Sequence, residues 1–397
     1  MVDGVGLVYK NGVLAAKLER QASSVSFSYL GSYLESSGAA VATTLPLSLE
    51  PIVLANGATP AFFAGLLPEG RRLGAIAERA KLSLDDDLSL LLVMGADLIG
   101  DVQVVPEGVD PLVAREQLLL PRDTSSVSFD EIRDQYFGSI ASGIPGVQDK
   151  VSSQMLNAPA KTAGIDYIVK FNPKDIPFAV ENEHFFLNLA KKVGIKTANA
   201  SLLTDSEGKH ALRLQRFDRV GSGSGKVRLA VEDGAQVLGR YPLDKYRIDF
   251  VEMANRMIEL SASSVTTAFQ IYKQLVFNWL IGNGDAHAKN FSIRRSLLGE
   301  WQTAPAYDLL CTAFYDDKSM ALPLEGQDTG WSRTLLLQVA KKLGLPKASA
   351  IRTIERQLAA LADLPDQILG GALPFARHQN VEVSSLLKRR HSQLLER

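Results

Sequence analysis

Hydrophobic and polar residues alternate along the start of the chain and then change to a helical spacing. Residues 6–9 and 13–18 alternate as strands do, and Asn11-Gly12 between them is the pair typical of a tight hairpin turn. Apolar residues recur at helical spacing over 59–92, and 102–105 predicts a returning strand. The pattern therefore predicts an N-terminal unit built around a β-sheet.

The middle of the chain predicts a small mixed α/β lobe. A connector rich in Pro, Gly and Asp at 106–126, with a short strand at 117–120, separates it from the first unit. The order is strand, strand, helix, strand, strand, which suits a lobe that holds a nucleotide. The predicted elements are strands at 151–156 and 166–171, a helix at 179–193, and strands at 200–203 and 211–217.

The last part of the chain is predicted to be mainly helical. Helices at 250–260 and 265–281 precede a strand pair, and the remainder is helical again over 334–395. The strand pair is placed at 291–294 and 300–303. We therefore divide the chain into an N-terminal subdomain (1–110), a nucleotide-binding lobe (125–248) and a helical catalytic lobe (249–397), an α+β, bilobal architecture.

Composition narrows the class of protein. The 397 residues are 46% hydrophobic, with 43 basic and 44 acidic side chains, so no overall charge attracts the chain to nucleic acid. The single cysteine, Cys311, allows no internal disulfide and is expected to fill core. The start of the chain lacks the pattern of a secretory signal, and we expect a cytoplasmic protein that does not bind membranes.

The segment from Asn283 to Asn290 follows a strongly apolar helix and precedes a strand. Asp285 followed five positions later by Asn290 is the spacing of a kinase catalytic loop, in which Asp accepts the substrate hydroxyl proton and Asn binds Mg²⁺. Asp308, eighteen positions beyond Asn290, stands where a second Mg²⁺ ligand belongs. The alternatives are an ordinary polar turn for the loop and a helix N-cap for Asp308.

A lysine, Lys170, interrupts the otherwise apolar strand Tyr167-Ile168-Val169-Lys170-Phe171. Burying its ammonium requires an anion, because an unpaired buried charge is costly. In a kinase this lysine holds the α- and β-phosphates of ATP, oriented by a helix glutamate. Glu183 is the first choice of partner and Glu181 the second. The alternative is an edge-strand lysine whose head reaches water.

A glycine-containing segment, Ser142 to Lys150, precedes this lobe's strands. Gly143 and Gly146 allow backbone amides to approach phosphate, and Lys150 adds charge. The segment matches neither of the common phosphate-loop patterns, and a plain glycine turn is an equal alternative.

Taken together, these segments resemble the HipA family of bacterial toxin kinases over nearly the whole chain. The resemblance rests on blocks in matching order: Phe62 to Gly70, Gly146 to Lys150, Asn182-Glu183, Arg216 to Arg219, Asp285 to Ser292, and Tyr307-Asp308. It implies a bilobal kinase fold with an added N-terminal subdomain, ATP and Mg²⁺ as cofactors, and transfer of the γ-phosphoryl group to Ser or Thr of a protein. An aminoacyl-tRNA synthetase is the implied kind of target. A helix-turn-helix antitoxin, through which operator DNA is bound, is the implied partner.

The resemblance also assigns roles to individual residues. Asp285 would be the catalytic base, and Lys289 would neutralise charge on the transferring phosphate. Asn290 and Asp308 would bind the metal. The nucleotide would be held by Gly146, Val147, Gln148, Lys150, Lys170 and Glu183. His287 is grouped with these cofactor-binding residues, but it lies in the segment from Asp285 to Asn290 and is expected mainly to pack that segment.

The chain departs from the family at one position. The family commonly has a self-phosphorylated serine three residues before the glycine that corresponds to Gly146, and here that position is Gly143. Ser142 is displaced by one residue, so self-phosphorylation at Ser142 is an open question. Two other functions remain open at this stage: a small-molecule phosphotransferase, and an inactive nucleotide-binding partner of a DNA-binding antitoxin.

Overall fold

The computed structural model describes residues 4–36, 38–112, 118–137, 155–162, 164–221 and 225–396. Within these ranges, no helix is both long and apolar enough to cross a membrane.

The N-terminal subdomain is a five-stranded antiparallel sheet covered by helices. Its strand order is β4-β3-β2-β1-β5, with β1 (Val5–Lys10), β2 (Val13–Gln21), β3 (Ser24–Tyr29), β4 (Ile52–Leu54) and β5 (Val102–Pro106). Asn11 and Gly12 both have positive φ, 49° and 79°, as the predicted tight turn requires. The helices are α1 (Gly31–Glu35), α2 (Ala61–Leu66), α3 (Gly70–Ala80) and α4 (Asp87–Met94).

The second lobe contains another five-stranded sheet. Its order is β6-β7-β8-β10-β9, with β6 (Leu118–Leu119), β7 (Leu156–Thr162), β8 (Ile165–Phe171), β9 (Ala200–Thr204) and β10 (His210–Gln215). Helix α5 (Phe129–Phe137) precedes the sheet in the chain, and α6 (Ala179–Lys192) connects β8 to β9. β8 is therefore a central strand with a neighbour on each side.

The third part is mainly helical. A strand pair, β11 (Arg219–Val220) and β12 (Val227–Arg228), leads to a three-stranded sheet of β13 (Val231–Asp233), β14 (Ser292–Arg295) and β15 (Trp301–Thr303). The helices are α7 (Phe250–Leu260), α8 (Ser264–Ile281), α9 (Arg333–Lys342), α10 (Lys347–Ala360), α11 (Leu364–Leu369) and α12 (Arg377–Leu395). The buried face of α8 packs in the centre of this lobe.

The described residues contain three hydrophobic clusters. One lies within the N-terminal subdomain, between Val8 and Val104. A second joins α5 to the inner face of the middle sheet. The third runs from α6 through the helical lobe, so that Phe186 and Leu189 share a core with Tyr272 and Leu336. Helix α6 is thus anchored to both lobes, and the cleft between the lobes opens beside it.

Most predicted elements are present, and several observed elements were not predicted, among them strands β3 and β4 and helix α5. The strand predicted at 151–156 begins at Leu156 and continues to Thr162, and residues 151–154 lie outside the described ranges. Strand β13 was not predicted, because three residues carry too little alternation to be distinguished from a loop. The kinase-like, α+β character of the chain is as expected.

Candidate active site

Lys170 occupies the central strand β8 and faces the cleft. It pairs across the ladder with Asn157 of β7 and Leu212 of β10, and it is only 4% exposed. A lysine on an edge strand would reach solvent, so this alternative does not describe Lys170. The ammonium must instead find its anions inside the protein.

Two carboxylates supply the charge that Lys170 needs. Its Nζ lies 2.9 and 2.8 Å from the two oxygens of Glu183, and it also donates to Asp308. Burial alone would lower the pKa of Lys170, but Asp308 and Glu183 outweigh burial and raise it, so the lysine stays charged. Burial raises the pKa of Glu183, the Lys170 ammonium opposes that rise, and Asp308 adds to it.

Glu183, and not Glu181, is the glutamate that pairs with Lys170. Both lie on α6, but Glu181 contacts His210 at 2.9 Å and accepts a hydrogen bond of 2.9 Å from Asn172. The two glutamates are two positions apart and therefore face different sides of the helix. The first choice from the sequence thus matches the geometry.

Asp308 joins the two lobes. It contacts Lys170 through one carboxylate oxygen, and its other oxygen accepts a hydrogen bond of 3.2 Å from the side-chain amide of Asn290. Its φ of 51° is in the left-handed region, and the next helical turn begins only at Thr312. Asp308 is therefore not a helix N-cap.

The segment from Asn283 to Asn290 leaves α8 through Gly282, whose φ is 77°. Asn283 anchors the loop through its side-chain amide. This amide donates to the side-chain oxygen of Asn278 at 3.1 Å and to the main-chain carbonyl of Asp308 at 3.3 Å. Asp285 is 1% exposed and accepts a hydrogen bond of 3.3 Å from the Tyr246 hydroxyl. The loop is thus rigidly held against the segment that contains Asp308.

Asn290 and Asp308 have the donor atoms that Mg²⁺ prefers. The side-chain oxygen of Asn290 accepts a hydrogen bond of 3.1 Å from the main-chain N–H of His287. The second lone pair of this oxygen is left for a cation. Mg²⁺ keeps several waters and uses few protein ligands. Among the described residues there is no group of three or more His, Cys, Asp or Glu side chains suited to a metal. The two side chains fit a Mg²⁺ that is held mainly by phosphate and water.

His287 packs the loop, as the sequence suggested. Its ring meets that of Tyr246 edge to face at 5.3 Å, and the residue is 5% exposed. Burial and the nearby Lys245 hold the pKa of His287 well below its usual value. The ring is therefore neutral at physiological pH.

The N-terminal subdomain contacts Lys289. The ammonium donates to the Gly65 carbonyl at 3.0 Å and lies 3.0 Å from Glu69. Burial would lower the pKa of Lys289, but Glu69 and Asp233 outweigh it and raise it. The sequence suggested Lys289 as a neutralising charge but contained no sign of its partner Glu69, which belongs to a different subdomain.

The cleft between the lobes has a volume of about 300 Å³. It is lined by Lys170, Asn290 and Asp308 together with apolar side chains from the end of β10 and from both lobes. Phe217 and Tyr307 stack there with their ring centroids 5.9 Å apart. These two aromatic residues were noted only as parts of family-like blocks, because nothing in their spacing indicates that they meet.

Arg216 and Asp218 form an internal ion pair that also binds the N-terminal subdomain. Arg216 donates to both oxygens of Asp218, at 3.0 and 2.8 Å, and to Asp97 at 2.9 Å. Arg219 donates to the same Asp218 at 2.7 Å. Arg216 and Asp218 therefore form an internal ion pair.

The phosphate-loop predictions lie outside the described residues. They concern Ser142, Gly143, Gly146, Val147, Gln148 and Lys150, all within 138–154. These assignments stay predictions.

The fold and the cleft define a kinase-like protein. Family models agree in detail: the HipA N-terminal domain matches residues 6–105, and the HipA-like C-terminal domain matches residues 142–364. The chain belongs to the HipA family.

Individual relatives agree with this assignment. "Putative kinase Y4dM" of Sinorhizobium fredii is 30% identical over 325 residues, which cover 76% of this chain and 73% of that protein. The serine/threonine-protein kinase toxin HipA of Shewanella oneidensis is 27% identical over 74% of this chain and 73% of its own length. A solved Shewanella oneidensis complex of HipA, HipB and operator DNA contains a chain of the same fold, with a TM-score of 0.74 and 21% identity over 98% of this chain and 97% of that one.

Proposed function

We propose that the protein is a serine/threonine protein kinase that uses Mg-ATP and acts as the toxin of a toxin-antitoxin pair. One observation carries the proposal: the buried Lys170 is held by Glu183 and Asp308, and Asp308 in turn contacts Asn290. This connected set contains the lysine, the helix glutamate and both metal-ligand types on which phosphoryl transfer depends. A purely structural ion pair would not need the asparagine.

The cleft offers a place for each part of ATP. Leu214, Ile168 and Ala198 line it and would contact the adenine on its apolar faces. The main-chain N–H of Phe217 makes no hydrogen bond within the part of the chain that the structure describes, and it is available to an adenine nitrogen. Lys170 would bind the phosphates in place of one of its two carboxylates. Bound Mg²⁺ would supply charge neutralisation at the phosphates, held by Asn290 and Asp308.

Asp285 would act as the base. The Tyr246 hydroxyl donates to its carboxylate at 3.3 Å, and this contact supports an orientation in which Asp285 would accept the proton of an incoming serine or threonine hydroxyl. Most of the rate enhancement would come from positioning and charge neutralisation, because the transition state of phosphoryl transfer is loose.

Target and partner follow from family membership. We infer that the substrate is a translation component such as an aminoacyl-tRNA synthetase, and that a helix-turn-helix antitoxin binds the chain and carries it to operator DNA. The Shewanella oneidensis assembly of HipA, HipB and operator DNA supports this partner. We also infer the domain limits 1–110, 125–248 and 249–397.

The decisive experiment is transfer from γ-labelled ATP to purified aminoacyl-tRNA synthetases, followed by mapping of the labelled residue. Wild type should label a serine or threonine of a discrete protein, and Asp285→Asn should bind ATP equally well but transfer about 10²- to 10⁴-fold more slowly. Labelling of a sugar or another small molecule instead of any protein would favour the small-molecule phosphotransferase.

The inactive-partner alternative has its own test. Growth should stop when wild type is induced without antitoxin and should continue when Asp285→Asn is induced to the same level. Equal arrest by both would show that toxicity does not require phosphoryl transfer.

A further inference from the structure

Glu69 of the N-terminal subdomain contacts two lysines that belong to the catalytic half of the chain. It immediately precedes α3 and reaches out of the subdomain towards the cleft, which it lines. Its Oε1 lies 3.0 Å from Nζ of Lys289, and its Oε2 accepts a hydrogen bond from Lys245. One carboxylate thus bridges two cations that are far apart in the sequence.

The contact of Glu69 with Lys289 lies next to the proposed metal ligands. Lys289 directly precedes Asn290, whose side chain contacts Asp308. The ammonium of Lys289 lies 3.0 Å from Glu69, donates to the Gly65 carbonyl at 3.0 Å, and lies 3.8 Å from Asp233. The position of Lys289 therefore constrains the end of the loop that carries Asn290.

The contact of Glu69 with Lys245 lies next to the proposed base, Asp285. The carbonyl of Lys245 accepts a hydrogen bond of 3.3 Å from the Ala288 N–H, in the middle of the loop. The next residue, Tyr246, donates from its hydroxyl to Asp285 at 3.3 Å. Through its two lysines, Glu69 is connected to both ends of the catalytic loop.

The interaction is charged and shielded from water. The side chains of Lys245 and Lys289 are 8% and 13% exposed, and that of Glu69 is 24% exposed. Burial would raise the pKa of Glu69, but Lys289 and Lys245 outweigh it and lower the pKa to about 2. Glu69 is therefore ionised throughout the range in which the protein would work.

We propose that Glu69 is a positioning residue for phosphoryl transfer, holding the catalytic loop through Lys245 and Lys289 so that Asp285 and Asn290 point correctly. The inference rests on the proposed function. The N-terminal subdomain would then contribute a positioning residue to the active site, in addition to any role in binding partners.

The subdomain has other attachments, so loss of Glu69 should not detach it. Gln236 donates to the Phe62 carbonyl at 3.0 Å, and the Tyr241 hydroxyl donates to the Thr59 carbonyl at 2.9 Å. The cluster of Arg216, Asp218 and Asp97 adds a buried link. A Glu69 variant is therefore expected to fold with the same architecture as wild type.

The test uses Glu69→Ala in the full chain, with Glu107→Ala, at an exposed glutamate of the same subdomain, as the matched control. We expect Glu69→Ala to lower kcat about 10- to 100-fold, as removal of a residue that orients catalytic or metal-binding groups does, with little change in the Kd for ATP. Added sodium acetate should restore part of the activity by replacing the lost carboxylate, whereas sodium chloride at equal ionic strength should not. Glu107→Ala should match wild type in both salts.

Hydrogen exchange of the amides in 285–291 provides a second measurement that does not depend on activity. Exchange should be faster in Glu69→Ala, slowed again by acetate, and unchanged in Glu107→Ala. Wild-type kcat or wild-type exchange in Glu69→Ala would overturn the proposal, as would lost activity that acetate does not restore. A wild-type protein that transfers no phosphate would overturn the proposed function, and the exchange measurement would still decide whether Glu69 holds the loop.

Discussion

The Lys170 ammonium lies 2.8 Å from Glu183 and also binds Asp308, which is 138 positions further along the chain. The lysine belongs to a strand of the middle lobe, the glutamate to a helix shared by both lobes, and the aspartate to the helical lobe. Two carboxylates therefore compete for one cation. In the proposed function Glu183 would stay with Lys170, and Asp308 together with Asn290 would hold Mg²⁺.

Removing the lysine charge should destabilise the protein strongly. Lys170→Met leaves Glu183, which is 0% exposed, without a cation, and breaking a buried pair in this way costs about 3–5 kcal/mol. The free energy of unfolding from urea titration at neutral pH should fall by that amount. Adding Glu183→Leu should recover most of the stability and none of the activity. Wild-type stability in the single variant would contradict the prediction.

The same variant should respond to pH in a defined direction. Burial raises the folded-state pKa of Glu183 above its unfolded value, and in Lys170→Met the opposing lysine charge is gone. A raised pKa favours the protonated form in the folded protein, so stability is kept at low pH and lost as pH rises through the folded-state pKa. The deficit of Lys170→Met relative to wild type should therefore be smaller at pH 5 than at pH 8.

The backbone at Asp308 predicts which substitutions the site tolerates. With a φ of 51°, the residue is in the left-handed region, which asparagine and glycine enter more easily than alanine. Asp308→Ala should lose about 1–2 kcal/mol more stability than Asp308→Gly. Asp308→Asn should fold well and still transfer no phosphate, because its amide is a poorer metal ligand. A kinase assay over a range of Mg²⁺ concentrations, beside thermal denaturation, checks both parts.

Asp218 should stabilise the junction in a pH-dependent way. Burial would raise its pKa, but Arg216 and Arg219 outweigh burial and lower it. A lowered folded-state pKa means that the stabilisation is present above the unfolded value of about 3.9 and is lost as pH falls through the folded-state value. Asp218→Asn should cost about 3–5 kcal/mol near pH 7, with the difference from wild type shrinking below pH 4. A constant difference across this range would contradict the prediction.

Gly65 is required where the N-terminal subdomain meets the catalytic half. A Cβ at this position would lie 2.8 Å from Cγ of Gln236, closer than such atoms approach. Gly65→Ala should therefore cost about 1–3 kcal/mol, as overpacking does. Shortening the neighbour as well, in Gly65→Ala with Gln236→Ala, should remove the steric part of that cost. A double-mutant cycle by urea denaturation measures the coupling between the two positions.

Local sequence determined much of the fold. Asn11-Gly12 specifies the first hairpin because few residues enter left-handed backbone without strain, and the helices from 250 to 281 follow from apolar spacing alone. The short strand β13 was missed because a three-residue strand has no measurable period. The need of Lys170 for an anion could likewise be seen from the sequence, since it depends only on one charge in an apolar strand.

The identity of the groups that meet in the cleft was decided by tertiary structure. The sequence ranked Glu183 before Glu181 on one helix, and only the tertiary placement of α6 shows that Glu183 pairs with Lys170 while Glu181 contacts His210. The sequence did not predict the contacts of Glu69 with Lys245 and Lys289, because these residues belong to separate subdomains. Glu69 and Lys245 are 176 positions apart in the sequence. Periodicity reports which face of an element is buried, whereas the contact between two distant charges depends on how whole subdomains pack.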